Sequence, residues 1–241
     1  MTRLDVALVA RGLFESRARA QAAISSGSVT VGGKVITKPS FKISDTDDIT
    51  AKAAHPWVSR GGIKMAHALD RFKVDPAGLT ALDVGASTGG FTDVLLSRGA
   101  AKVYAVDVGT DQLHTKIRSD DRAVVMEQTD ARHLTRAHFD SPIDFVVCDA
   151  SFISATKILG APMALARPGA QLITLIKPQF EMGKGALGKG GVIRDKEIAE
   201  DAVRIVRSWV EAQRWSLRAD CKSPITGGSG NHEYLLHAVK V

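Results

Sequence analysis

Five apolar, β-rich runs, at residues 80–84, 103–107, 123–126, 144–149 and 171–176, constrain the fold of this chain more than any other feature. Each run is continuously apolar rather than alternating, and stretches of helical character separate them. Strands of that kind are covered on both faces, which implies a mostly parallel sheet with helices on either side. Two later strands, near 215–219 and 233–239, follow a long helix expected around 195–213. The expected fold class is therefore α/β, Rossmann-like, with seven strands. At 241 residues the chain has room for that domain and a small second one.

The small domain is expected at the N-terminus, where the charge is concentrated. The formal net charge is +6; residues 1–59 hold 8 Lys+Arg against 5 Asp+Glu, and the other 182 hold 24 against 21. Each part carries +3, so the short one is roughly three times more basic per residue, and a basic patch favours an anionic partner. Leu4, Ala7 and Leu8 have helical spacing, and a second helix is expected after Ser16, whose hydroxyl suits an N-cap. Arg17 and Arg19 then occupy its first turn, where the helix dipole disfavours cations, and phosphate binding would compensate. Gly27 suits a helix stop, and Gly32 and Gly33 suit a hairpin turn. This helix–helix–hairpin order, with Lys34 and Lys38 on the hairpin, resembles the S-four-type RNA-binding domain, an α+β module. The matching residues run from Arg3, Leu4 and Asp5 through Arg11 and the 16–20 segment to Lys38, Pro39 and Ser40. The resemblance implies a grip on folded RNA by shape and phosphate, with Arg3, Arg11, Arg17, Arg19, Lys34 and Lys38, together with Arg60 beyond the linker, as contacts. The expected boundaries are 1–54 for this module, 55–59 for the linker and 60–241 for the large domain. Pro56 marks the break and Trp57 is expected as an anchor there.

The turn after the first long strand selects the cofactor. A dinucleotide fold needs Gly-x-Gly-x-x-Gly so that backbone can approach a pyrophosphate. Here the glycines are Gly85, Gly89 and Gly90, with Ser87 where the second glycine should stand. S-adenosylmethionine carries no phosphate and suits a looser turn of Asp83, Gly85, Ser87, Thr88, Gly89 and Gly90. Asp107, 17 residues beyond Gly90, is placed to accept from ribose hydroxyls, and Asp130 is placed for the adenine amino group.

Four isolated charges sit at the ends of ordered segments. Asp149 and Lys177 close the fourth and fifth strands, Glu233 opens the last, and Lys64 lies on a helix before the first. If the last strand runs antiparallel, as is usual in methyltransferases of this architecture, all four meet at one edge. A Lys-Asp-Lys-Glu group suits a ribose hydroxyl, which needs a base for its proton and groups to hold it in line with a methyl donor. Lys177 is read as the general base, Asp149 and Glu233 as the groups orienting it, and Lys64 as a positioning cation. Cys148-Asp149-Ala150-Ser151-Phe152 lacks the proline-rich aromatic run that binds planar amines, which disfavours a base methyltransferase.

The chain as a whole resembles the hemolysin-A-like (TlyA-type) proteins, which join an S-four-type domain to an FtsJ-like ribosomal RNA methyltransferase domain. The matching runs are 57–64, 83–93, 106–109, 148–152, 176–181 and 230–234. The resemblance implies 2′-O-methylation of cytidine ribose in ribosomal RNA of the small subunit, the large subunit or both. A cytoplasmic location is expected because no apolar run is long enough to span a bilayer and the N-terminus lacks the apolar stretch of a signal peptide. Competing classes are an RNA-binding ribosome-assembly factor without catalysis and a membrane-active hemolysin. The second is disfavoured because the chain is read as lacking a signal, a spanning segment and a basic amphipathic helix of adequate length. Cys148 and Cys221 form neither a disulfide framework nor a zinc spacing, and the seven histidines are scattered, so no metal is expected. The glycine-rich 183–191 stretch, with Lys184 and Lys189, is expected to be a loop, either closing over the acceptor or simply connecting.

Overall fold

The computed structural model describes the backbone of all 241 residues; the side chains of Lys184 and Lys189 lie outside the described ones. The chain divides into two compact units, Met1–Pro56 and Trp57–Val241.

The first unit opens with β1 (Thr2–Arg3), α1 (Leu4–Ala10) and α2 (Arg17–Ser25), and continues through β2 (Val29–Val31), β3 (Lys34–Val35), β4 (Lys42–Ile43) and β5 (Ile49–Ala51). The Ser16 hydroxyl caps α2 by accepting from the Arg19 N–H at 3.3 Å. Gly27 (φ 75°) ends that helix, and Gly32 and Gly33, both with positive φ, turn the chain between β2 and β3. Leu4, Leu8, Ala20, Ile24, Val29 and Ile43 form the core between helices and strands. Asp5 is buried with them, fully inaccessible.

The second unit holds α3 (Gly61–Phe72), β6 (Thr80–Val84), α4 (Gly90–Ser97), β7 (Lys102–Val106), α5 (Thr115–Arg118), β8 (Ala123–Met126), β9 (Ile143–Cys148), α6 (Ala155–Ile158) and α7 (Gly160–Leu165). It continues with β10 (Ala166–Ile176), α8 (Pro178–Glu181), α9 (Lys196–Ala212), β11 (Trp215–Lys222) and β12 (Tyr234–Lys240). The sheet order is β11-β12-β10-β9-β6-β7-β8. Strands β6 to β10 run parallel to one another, while β12 is antiparallel to both β10 and β11. The continuous apolar runs are explained by two separate cores: Leu82, Val146 and Leu236 pack on one face, and Ala81, Phe145 and Leu235 on the other. Phe145 is fully buried, and its replacement by Ala would cost about 3–5 kcal/mol. Helix α9 buries Ala199, Ala202, Val203, Val206 and Val210 along one stripe and is capped by Asp195, which accepts from the Glu197 N–H.

Strand β6 has β9 on one side and β7 on the other, so the strand order reverses there. The crevice beyond the carboxyl ends of these strands is where an open α/β sheet receives its ligand. Strand β12 enters the sheet from the same edge, which brings Glu233 beside the strand ends that carry Asp149 and Lys177.

Candidate active site

The four charged residues singled out in the sequence meet at this edge. The Lys177 Nζ lies 2.6 Å from Asp149 Oδ1 and donates to the Asp149 carbonyl (3.1 Å) and the Ser151 hydroxyl (2.8 Å). The Lys64 Nζ lies 2.6 Å from Glu233 Oε2 and 3.6 Å from Asp149 Oδ2. Glu233 therefore faces Lys64 and not Lys177, which corrects the expectation that it orients the proposed base. Asp149 stands between the two amines. Both lysine side chains are enclosed, 8% exposed for Lys64 and 6% for Lys177.

Local sequence explains each placement. Lys64 shares the buried stripe of α3 with Met65, Ala68 and Leu69, so an ammonium sits where an apolar side chain belongs. Pro178 takes the first helical position of α8, which keeps Lys177 extended at the end of β10 (φ −112°, ψ 97°). Gly227 packs against the Glu233 carboxylate so closely that a Cβ there would collide with Oε1. Asn231, almost fully buried, donates to the Gly191 carbonyl and accepts from the Ile193 N–H, joining the 183–191 stretch to the turn before Glu233. That stretch forms two short 3₁₀ turns at Lys184–Ala186 and Lys189–Gly191.

Next to the amines lies a cavity of about 530 Å³ lined by Gly85, Ser87, Val106, Asp107, Asp130 and Asp149, among others. Gly85 is required here: its φ is 78°, and an added Cβ would stand 2.9 Å from the Ala150 Cα. Four of the turn's N–H groups are already used. Gly85 and Ala86 both donate to the Val106 carbonyl, Ser87 to Asp107 Oδ2 at 2.8 Å, and Gly89 to the Ala86 carbonyl. The Ser87 N–H is turned to Asp107 rather than left for a phosphate, and the apolar lining with the three carboxylates of Asp107, Asp130 and Asp149 suits an uncharged adenosine bearing a cationic sulfonium. Asp107 Oδ1 also accepts from the Gly109 N–H at 2.7 Å. Asp130 is gripped by Arg132, whose guanidinium holds the carboxyl down to about 2.

Four residues assigned to the cofactor have other positions. Asp83 is fully buried and does not line the cavity; its Oδ2 accepts from the Thr92 N–H (3.0 Å) and hydroxyl (2.7 Å), fixing the first turn of α4. Burial raises its carboxyl to about 7, with Thr92 opposing and the Asp149 charge adding to the rise. Thr88 offers its carbonyl to the His114 N–H. Gly89 (φ 93°) leaves room for Leu113 and Ile117, and Gly90 lets α4 approach Ser59 and Gly62 of the segment around α3. Trp57 packs on Gly62 in the same unit. Sequence reasoning missed Gln112 and Arg132, and it gave Phe152 no role. Phe152 stands 91% exposed at the cavity rim with φ 66°, its ring 5.3 Å from that of Phe180. An exposed aromatic directly after the Asp149 segment was the available signal.

The expected RNA contacts are also redistributed. Arg3 and Arg17 both bond to Asp5, at 2.9 and 3.1 Å, and Gln21 donates to it at 2.7 Å. The unfavourable position of Arg17 in the first turn of α2 is thus offset by a buried carboxylate. Arg11 donates to the carbonyls of Ser44, Asp45 and Asp47. Arg60 donates to the Thr226 carbonyl at 2.6 Å, above the Glu233 turn. Lys34 and Lys38 are exposed.

Residues 57–240 match the FtsJ-like methyltransferase family, and residues 2–49 match the S4 domain. The chain belongs to the FtsJ-like methyltransferases. It is 44% identical to the 16S/23S rRNA (cytidine-2′-O)-methyltransferase TlyA of Mycobacterium tuberculosis, over 97% of this chain and 88% of that one. Hemolysin A of Brachyspira hyodysenteriae is 41% identical over 98% and 99%. A solved structure bearing the hemolysin name, from Streptococcus thermophilus, superposes with a TM-score of 0.79 at 40% identity, covering 99% of this chain and 88% of that one. Among the described residues no helix is long and apolar enough to cross a membrane, and no group of three His, Cys, Asp or Glu is placed to hold a metal.

Proposed function

We propose that this FtsJ-like methyltransferase transfers a methyl group from S-adenosylmethionine to the 2′-hydroxyl of a cytidine ribose in ribosomal RNA. The observation that carries the reading is that Asp149 lines the cofactor cavity and also contacts both enclosed amines, so acceptor and donor share one wall. When bound, S-adenosylmethionine supplies an electrophilic methyl on a cationic sulfonium. Gly85, Ser87, Asp107 and Asp130 would hold it in the cavity they line. Two carboxylates face Lys64 and one faces Lys177, so discharging Lys177 breaks one ion pair where discharging Lys64 breaks two. Lys177 is accordingly the base that takes the hydroxyl proton, Asp149 and Ser151 orient it, and Lys64, fixed by Glu233, remains the cation that positions the acceptor. Phe152 offers an exposed ring face against which an acceptor base can stack. The TlyA relative, which carries the cytidine specificity in its name, supports the choice of nucleotide.

Arg3, Arg17, Arg19, Lys34 and Lys38 are the cations of the first unit that grip phosphate, within an S4 domain. The test is incubation of unmodified ribosomal subunits with labelled S-adenosylmethionine, followed by alkaline hydrolysis. Label in alkali-resistant dinucleotides at cytidine is expected; label confined to bases overturns the reading.

A further inference from the structure

The second unit has another depression, of about 450 Å³, on the α3 face of the edge strand β11. Its floor is a stacked pair, the Phe72 ring 5.5 Å from that of His237 and inclined by 21°. His237 is nearly buried, its Nε2 is 2.7 Å from Gln171 Oε1, and burial, with Arg218 adding, pushes it down to about 4, so the ring is neutral. The walls carry three exposed cations, Arg71, Lys73 and Arg218. Among the described residues none of these three side chains forms an ion pair or a hydrogen bond. Arg98, Arg118, Arg122 and Arg132 of the same unit each face a carboxylate. The one acid on the wall, Asp75, accepts from the Ala77 N–H.

Two backbone irregularities aim these cations at one place. The β11–β12 register shifts between Leu217 and Ala219, which makes Arg218 the extra residue of a bulge. Lys73 ends α3 in the left-handed region (φ 55°, ψ 43°), a conformation that favours glycine. The end of α3 attracts Arg71 and Lys73 through its dipole, but not Arg218, which comes from a strand.

We propose that this depression is a second RNA subsite, holding a backbone phosphate of the substrate away from the reacting ribose; the assignment rests on the proposed rRNA methylation. His237 is four residues along β12 from Glu233, which puts the subsite roughly 14 Å from the amine cluster along the strand. A flexible strand of RNA is long enough to engage both, and phosphate binding needs only the cations already present.

The test compares wild type with the triple variant Arg71→Ala, Lys73→Ala, Arg218→Ala, using unmodified ribosomal subunits at about 50 to 200 mM salt. The expected result is a KM raised several-fold at low salt and a log KM against log salt slope reduced by about 1 to 2. The kcat and the S-adenosylmethionine Kd stay at wild-type values. An unchanged KM and slope overturn the subsite and leave the cations as shields of an edge strand. A shift of the His237 ring resonance on adding inorganic phosphate, with unchanged KM for RNA, also overturns it and indicates a small phosphorylated ligand. Absence of any transfer by wild type is a separate failure, that of the proposed function.

Discussion

Each unit of this protein buries a cluster of charges, the first only the anion and the second both members of the pair. In the first, Asp5 is inaccessible, while its partners Arg3 and Arg17 keep side chains 41% and 58% exposed. In the second, the amines of Lys64 and Lys177 are enclosed together with the Glu233 carboxylate, and Asp149 borders the cavity. Burying the anion and leaving guanidinium groups outside yields a surface of permanent positive charge, because arginine does not lose its proton. Enclosing amines among carboxylates yields a fixed constellation of paired groups beside the cavity, within reach of an acceptor hydroxyl. One arrangement suits holding a polyanion and the other suits chemistry upon it.

The largest break in this comparison is expected at the residue shared by both amines. Asp149→Ala leaves Lys64 and Lys177 facing each other without a shared counter-charge, and single-turnover transfer should fall by at least about 10²-fold. Lys64→Ala and Glu233→Gln are each expected to lower it by roughly 10-fold or more, with the double variant no worse than Lys64→Ala alone, since the two residues act as a pair. Multiplying effects in that cycle would restore a separate link from Glu233 to Lys177.

In the first unit, Asp5→Ala is expected to cost roughly 1.5–3 kcal/mol of that unit's stability and to weaken RNA binding, with kcat unchanged at saturating RNA. Calorimetry and filter binding check the two halves. The Arg3 guanidinium, with help from Gln21 and Arg17, holds the Asp5 carboxyl well below the ordinary range. Its stabilisation is therefore complete above the unfolded value of about 4 and is lost as pH falls further, so Asp5→Ala should flatten the acid limb of a melting curve.

The smallest effect is expected at Asp83, where the sign reverses. Burial raises this carboxyl to about 7, so the folded chain holds a proton that the unfolded chain releases near pH 4. Its contribution to stability falls as pH rises between those values and is lowest above 7. Asp83→Asn keeps an acceptor for Thr92 and should melt a few degrees above wild type at pH 8, with little difference at pH 4. An equal gap at both pH values would contradict a buried, protonated Asp83.

Much of this architecture was legible in the sequence because continuous apolar runs and glycine turns are local signals. The runs at 80–84 and 123–126 coincide with β6 and β8, and the 171–176 run forms the last part of the longer β10. The convergence of Lys64, Asp149, Lys177 and Glu233 was legible because each stands at a boundary that the topology brings to one edge. The pairing within that group was not, because which carboxylate meets which amine depends on side-chain reach across α3 and β12. The roles of Asp83, Gly89 and Gly90 were hidden for a similar reason: a glycine-rich turn motif does not distinguish residues that touch a ligand from residues that let α4 pack. Arg17 illustrates the same limit, since its partner Asp5 lies twelve positions away on another helix.

Lys177→Arg tests the central claim most directly. Arginine keeps the positive charge and the reach to Asp149 but does not serve as a base. Single-turnover transfer to ribosomal subunits, measured with S-adenosylmethionine and RNA affinities in parallel, should fall by about 10² to 10⁴-fold while both affinities hold. Transfer at the wild-type rate would contradict Lys177 as the group that takes the ribose proton.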